Sequence, residues 1–356
     1  MDIYVMDSSL KRIGVIDSYR SIIWTTRYYQ PGDFELYLDA TPENIELCQK
    51  ERFLYREYDY VDGVFKSVMI IQYVQLETSQ EQGNTLLVQG SDLKSILDRR
   101  VIWNQTVLSG TLENNIRSVI NTNIVNPSIT ARKISNFTLG SEMGGTSTVQ
   151  VQVTGDNIGD WITEQIKPYE IGYDIQITNG NFVFILYKGT DRSYDQSTNP
   201  YVIFSPDFEN LLSSNYIESD VDTKNYALVA GEGEGSARRT ATVGSGTLTG
   251  LDRKEIYVDA RDISSETDDG TLTPAEYTAQ LQSRGQEYLA EVQPFKAFEG
   301  QVEASTNFIF GEDYFLGDKV QVVNEYGIGS SARIVEIIDA EDEVGRTVVP
   351  TFSTGG

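Results

Sequence analysis

The chain has 356 residues, 39% of them apolar, more than one hydrophobic core usually supports, which points to about two to four domains. Its formal net charge of −25 argues against a surface that grips nucleic acid or an anionic membrane, since such surfaces need Lys and Arg to neutralise phosphates. Histidine is absent and Cys48 is the single cysteine, so an intrachain disulfide and a CxxC metal site are excluded, and the commonest zinc ligand and general base are missing.

Residues 1–104 read as a first β unit, in keeping with 21 tyrosines and short runs of alternating Val and Thr. Ile3 to Met6 and Arg12 to Asp17 flank the polar stretch Asp7 to Lys11 as a hairpin. Ser21 to Tyr28 is a strand, the Gln30-Pro31-Gly32-Asp33 stretch a turn, and Phe34, Leu36 and Leu38 alternate with Glu35 and Tyr37. Thr41-Pro42 opens a short helix with Thr as cap and Pro at its first position. Phe53 to Tyr60, Ser67 to Glu77 and Asn84 to Gln89 are strands, and Ser91 is expected to cap a short helix that presents Leu93, Ile96 and Leu97. Short strands joined by turns, with a helix beside them, suggest a small barrel.

Residues 105–215 read as an inserted α+β domain. Thr111 can cap a helix whose Leu112, Ile116, Val119 and Ile120 form one apolar stripe. Thr148 to Val153 alternates as a strand, and Asn157 to Lys167 is a helix with Ile158, Trp161, Ile162 and Ile166 on one face. Tyr173 to Thr178 and Phe182 to Tyr187 form a hairpin around Asn179-Gly180, the pair favoured in a type I′ turn.

Residues 216–356 read as a second β unit interrupted by one long helix, about residues 274–292. Tyr226 to Ala230, Arg239 to Val243 and Glu255 to Ala260, with glycine-rich joints, predict an antiparallel meander. Thr273-Pro274-Ala275-Glu276 is a capping box, and Tyr277, Leu281, Tyr288 and Val292 give the helix one apolar face. Strands follow at about Lys296 to Ala304, Lys319 to Val323, Ala332 to Asp339 and Thr347 to Phe352. A faint repeat links the two β units. Ser67 to Val88 and Ser331 to Val349 each read as a strand, a polar turn ending in Gly83 or Gly345, and a return strand.

Five stretches carry a family resemblance: Lys224 to Gly235 (KNYALVAGEGEG), Gly250 to Ile263 (GLDRKEIYVDARDI), Trp24 to Leu38 (WTTRYYQPGDFELYL), Leu86 to Trp103 (LLVQGSDLKSILDRRVIW) and Gly311 to Gly327 (GEDYFLGDKVQVVNEYG). Together they resemble the baseplate hub family of long-tailed phages, the amino-terminal hub part of the tail-associated lysin. The resemblance implies a mainly β chain with two related β-barrel, tube-like units and an inserted α+β domain. It also implies a structural protein that forms a homotrimer, whose six barrels make a pseudo-sixfold ring. The implied partners are the hexameric distal tail protein, the tape-measure protein and receptor-binding or tip proteins, with DNA present only in transit. The implied location is the tip of a virion tail, after synthesis in the host cytoplasm. No cofactor and no membrane insertion are implied. The alternatives are a tail-associated peptidoglycan hydrolase and a host receptor-binding tail protein. The first is disfavoured by the ending PTFSTGG, directly after the last expected strand.

No catalytic, cofactor or metal site emerges from the residues. The Gly231 to Gly235 run places Glu232 and Glu234 among its glycines and leads into no helix, so it reads as a twisted strand end rather than a phosphate loop. Glu266, Asp268 and Asp269 lack the ligand spacing of an EF-hand and read as a solvated or interface loop. Asp259, Arg261 and Asp262 could pass for a glycosidase carboxylate pair, but among 53 acidic residues a salt-bridged corner or a subunit contact is the plainer reading. Cys48 reads as a small buried residue of the first helix and Trp103 as an anchor at the join to the insertion. Glu232, Glu234, Asp259, Arg261, Asp262 and Trp103 are the interface or lumen candidates. A channel wall with more carboxylates than Lys and Arg would keep a passing duplex moving.

Overall fold

The computed structural model describes residues 1–79, 83–267, 270–302 and 307–353. The chain is mainly β. Nine strands come first: β1 (Ile3–Met6), β2 (Arg12–Ile16), β3 (Ser21–Arg27), β4 (Asp33–Asp39), β5 (Phe53–Arg56), β6 (Tyr60–Val61), β7 (Val64–Phe65), β8 (Met69–Ser79) and β9 (Gly83–Asp92). The β1–β2 turn closes because the Asp7 carboxylate accepts from the backbone N–H groups of Ser9 and Lys11, at 2.9 and 3.0 Å. Helix α1 (Pro42–Leu47) starts as expected, with Thr41 Oγ1 accepting from the Asn44 N–H. Two expectations shift. The strand from Phe53 stops at Arg56, because the Arg56 guanidinium pairs with Asp59 at 2.7 Å and holds residues 57–59 in a 3-10 turn. The cap after β9 is Asp92 rather than Ser91. Ser91 is still in the ladder, opposite Ile70 and Asp33, while the Asp92 carboxylate accepts from the Lys94 N–H and the segment Leu93–Arg99 is 3-10.

The insertion contains β10 (Thr106–Thr111), α2 (Leu112–Ile120), β11 (Phe137–Leu139), β12 (Thr148–Val153), α3 (Ile158–Ile166), β13 (Gly172–Thr178) and β14 (Asn181–Tyr187). Thr111 and Asn157 cap the two helices, and Asn179 and Gly180 have φ of 49° and 73°, both positive as a type I′ turn requires. Strand pairing crosses the expected boundary at residue 104, since β6 and β7 join the insertion's sheet, in the order β11-β14-β13-β7-β6.

The last third contains β15 (Ile203–Phe204), β16 (Leu211–Ser219), β17 (Tyr226–Ala230), β18 (Thr240–Gly244), β19 (Glu255–Asp259), β20 (Glu266–Thr267), β21 (Gly270–Thr271), α4 (Pro274–Glu291), β22 (Phe295–Val302), β23 (Lys319–Val323), β24 (Gly329–Asp342) and β25 (Arg346–Ser353). The boundary at 215 is also crossed, because β15 and the start of β16 pair with β23 and β22. The expected end of β22 at Ala304 lies outside the described residues. The expected antiparallel meander is corrected. β18 is antiparallel to β17, but β19 is parallel to it, in the order β18-β17-β19. Residues 245–254 carry the chain across the Tyr226 end of β17, from Gly244 on one side to Glu255 on the other, so β19 pairs with β17 instead of β18. α4 covers this sheet, with Tyr277, Leu281 and Leu289 packed on Val229, Ala241 and Val258.

The two β units share one 13-stranded sheet, and among the described residues no strand pair closes either into a separate barrel. Both units have the same strand order. The first reads β3-β4-β9-β8-β5-β1 and the second β16-β22-β25-β24-β23-β15, and each series takes the same places in chain order. The correspondence extends to single residues. β8 bulges at Gln72, between Ile71 and Tyr73, and β24 bulges at Val335, between Ile334 and Glu336. One difference is that β1 is antiparallel to β5, whereas β15 is parallel to β23. The units meet where β24 pairs antiparallel with β3, Glu336 opposite Arg27 through to Asp342 opposite Ser21.

Candidate functional site

The sequence candidates do not gather into one chemical site. Gly231 lets the strand end pass Tyr277, because a Cβ there would lie 2.3 Å from the Tyr277 hydroxyl. That hydroxyl accepts from the Glu232 N–H at 2.8 Å and donates to the Ile263 carbonyl at 3.0 Å. The Glu232 carboxylate accepts from the N–H and Oγ of Ser265, at 2.6 and 2.7 Å, and faces Arg239 at 3.6 Å. Burial opposes its ionisation, but the Ser265 bonds outweigh it and hold the carboxyl below its ordinary range. Glu232 is thus a clamp between β17 and the segment before α4, while Glu234 is exposed.

Asp259 and Asp262 each have an arginine of their own. Asp259 pairs with Arg261 at 2.5 Å, and Asp262 with Arg284 of α4 at 2.8 Å. The predicted carboxylate corner is therefore two separate ion pairs. Asp268 and Asp269 lie outside the described residues. Among the described residues no group of three or more acidic or thiol side chains is placed to hold a metal ion, and no helix is long and apolar enough to cross a membrane. Cys48 is buried at the C-cap of α1, and burial pushes its thiol up to about 12. Trp103 is 56% exposed, with Arg132 over its ring at 4.9 Å, so within the chain it does not anchor the join. Its neighbour Ile102 does so. Ile102 is fully buried, its N–H donating to Asp156 and its carbonyl accepting from Gly155.

Two features escaped the sequence reading. The first is a cleft of about 410 Å³ between α4 and the insertion, whose lining includes Asp156, Glu164, Asp262, Arg284 and Glu287. Burial pushes the carboxyls of Asp156, Glu164 and Glu287 up. The second is the seam between the β units. Asp339, opposite Trp24 in the ladder, is 1% exposed. It accepts from Arg56 at 2.9 Å, from Arg346 at 2.8 Å and from the Tyr58 hydroxyl at 2.8 Å. Arg56 lies over the rings of Trp24 and Tyr58, at 4.6 and 4.7 Å. Beside it Arg27 pairs with Glu336 at 2.6 Å and with Asp33. Tyr28 continues the seam into the insertion. Its hydroxyl lies 3.1 Å from the carbonyls of Glu170 and Tyr187, and its ring is held between Gly172 and Gly317. The available signal was the placement of Arg56 and Asp339, each directly after an apolar run, Phe53 to Tyr55 and Ile337 to Ile338. The arrangement is a rigid joint with no reacting centre.

Among curated proteins no sequence match is found. Solved structures resemble the chain in fold over nearly its whole length. It is 12% identical to the tail protein from Neisseria meningitidis MC58, covering 99% of this chain and 95% of that one with a TM-score of 0.59. It is 14% identical to the prophage tail protein gp18 from Listeria monocytogenes EGD-e, covering 100% and 95% with a TM-score of 0.58. It is 13% identical to the 43 kDa tail protein of prophage MuSo2 from Shewanella oneidensis, covering 99% and 98% with a TM-score of 0.57. Residues 2–352 match the model of a siphovirus family, so a chain with the fold of phage tail proteins belongs to the siphovirus ReqiPepy6 Gp37-like protein family.

Proposed function

We propose that this phage tail protein is the hub at the distal end of the tail, working as a structural adaptor. Three chains form a ring whose six β units repeat around the axis. The ring docks on the hexameric distal tail protein, continues the tube through which DNA leaves, holds the end of the tape-measure protein and carries the tip proteins below. The observation that carries this reading is the shared order of six strands in both β units. A chain built of two alike units presents sixfold-like contacts upward with threefold stoichiometry, and closed rings of this kind are the common outcome of head-to-tail contacts. The insertion and the three-stranded sheet with α4 differ from each other, so they supply the threefold face. The parts of the chain in this reading are residues 1–104, 105–215 and 216–356, with β6 and β7 joined to the insertion's sheet and β15 and the start of β16 to the second β unit. Its chemistry is geometric, and no hydrolase activity is assigned. Electron microscopy of particles labelled on this chain tests the position. The expected result is label at the distal end of the tail tube, and label along the shaft or at the head refutes the reading.

A further inference from the structure

The two β units correspond in register around their bulges, and among the described residues only one of the two possible contacts between them is made inside the chain. The bulges align Val335 of β24 with Gln72 of β8. The ladders then carry the alignment onward. Asp33 stands to Ser91 as Ala297 stands to Ser353, and Thr25 stands to Asp33 as Ile217 stands to Ala297. So β8 is the counterpart of β24, and β16 is the counterpart of β3.

Within the chain, β24 and β3 pair beyond the bulge, and the side chains of that stretch of β24 are buried or half-buried from Glu336 to Glu341. Their counterparts, β8 and β16, are not paired with each other among the described residues. β8 pairs with β9 along its whole length but with β5 only through Met69 and Ile70. Beyond its bulge, as far as Thr78, β8 is exposed on both faces except at Val74, which is half-buried against the core, and Tyr73 and Leu76 are 48% and 52% exposed. β16 ends the sheet, and its Ile217 is 38% exposed. A long exposed edge carrying apolar side chains is a pairing template that monomeric proteins avoid.

We propose that the outer half of β8 pairs antiparallel with β16 of a second copy of this chain, in the register that β24 and β3 use internally. Ile338 faces Thr25 in the internal seam, so Gln75 faces the partner copy's counterpart of Thr25, Ile217. By the same mapping Tyr73 faces Ser219 and Thr78 faces Ser214. The contact is head-to-tail, since β8 and β16 are different surfaces, and repeating it alternates internal and external seams of one geometry around the ring. This inference rests on the three-chain ring proposed above and names its contact.

The test is register-specific cross-linking of the full chain. Cys48 is buried and does not compete. A variant with Gln75→Cys and Ile217→Cys is oxidised and compared on a non-reducing gel with one carrying Gln75→Cys and Ser214→Cys, which moves the partner thiol about 10 Å along the strand. The expected result is covalent species of two and three chains in the matched variant, at least tenfold more abundant than in the shifted one. Mixing the two single variants should give covalent pairs only. Light scattering on the same samples separates the failures. Three chains in solution with no cross-link, or equal cross-linking in both registers, overturns the seam, leaves the ring standing and assigns the two edges to another tail protein. A monomer or dimer overturns the ring and the seam together.

Discussion

Asp339→Asn tests whether the seam between the β units is a rigid joint. The substitution keeps the shape of the side chain but removes the charge that faces Arg56, Arg346 and Tyr58 at 2.8–2.9 Å. Breaking a buried ion pair from one side costs about 3–5 kcal/mol, because a charge stays buried without its partner. Here Arg56 keeps Asp59 at 2.7 Å, and the Arg346 side chain is 43% exposed and can turn to water. The cost therefore falls at the lower end, about 3 kcal/mol. Urea unfolding followed by tryptophan fluorescence is the assay, since Trp24 lies under Arg56. With a slope of about 2 kcal/mol per molar, the midpoint should fall by on the order of 1 M. The pH dependence adds a second check. Burial raises the Asp339 carboxyl, but the Arg346 hydrogen bond and the charges of Arg56 and Arg346 outweigh it and hold the group below its usual range. Its stabilisation is thus present above about pH 3.9 and lost as pH falls through the lower folded value. The variant should lack that acid-limb loss and converge with the native chain in strong acid. A loss under about 1 kcal/mol at neutral pH would refute the reasoning.

Asp98 is pushed up to about 6 by burial first and then by Asp160 and Asp92, so the native chain binds a proton there that the unfolded chain releases, and its stability falls as pH rises from about 4 through 6. Asp98→Asn should flatten that fall and raise the melting temperature at pH 7; an unchanged pH profile would contradict it. Gly172→Ala drives a Cβ to 2.2 Å from the Tyr28 ring and should cost about 1–3 kcal/mol by overpacking, with a loss under 0.5 kcal/mol as the contrary result in thermal unfolding. Tyr277→Phe leaves the Glu232 N–H and the Ile263 carbonyl without their shared partner and should cost about 1–3 kcal/mol, read as faster hydrogen exchange around β17 and α4. In a reconstruction of the ring, the channel wall should carry more Asp and Glu than Lys and Arg; a mainly basic wall would contradict the idea that passing DNA is repelled.

Local chemistry was legible in the sequence where one or two residues decide the geometry. The capping box at Thr273, the caps Thr41 and Thr111 and the Asn179-Gly180 turn all occur where their side-chain acceptors and dihedral needs placed them. The Gly83 and Gly345 hairpins also pointed to two alike units. The place of β19 was not legible around residues 226–259, because a strand running opposite to β18 can lie beside either β18 or β17, depending on where the ten-residue connection crosses, and several glycines leave that path open. Nor could the seam be read, since Trp24 and Asp339 are brought together only by the completed sheet. Of the six interface candidates, four are tied down by specific partners: Glu232 by Ser265, Asp259 and Arg261 by each other, and Asp262 by Arg284. The Glu232 and Asp262 pairings depend on which elements pack together, which residue type and spacing do not encode.

In the proposed ring, two alike units per chain convert sixfold contacts to threefold. Averaged electron-microscopic images of the purified chain at micromolar concentration, viewed down the ring axis, test it most directly. The predicted result is a ring of three chains with six similar lobes around an open centre. A twofold particle, or a threefold one whose lobes number three, would contradict it.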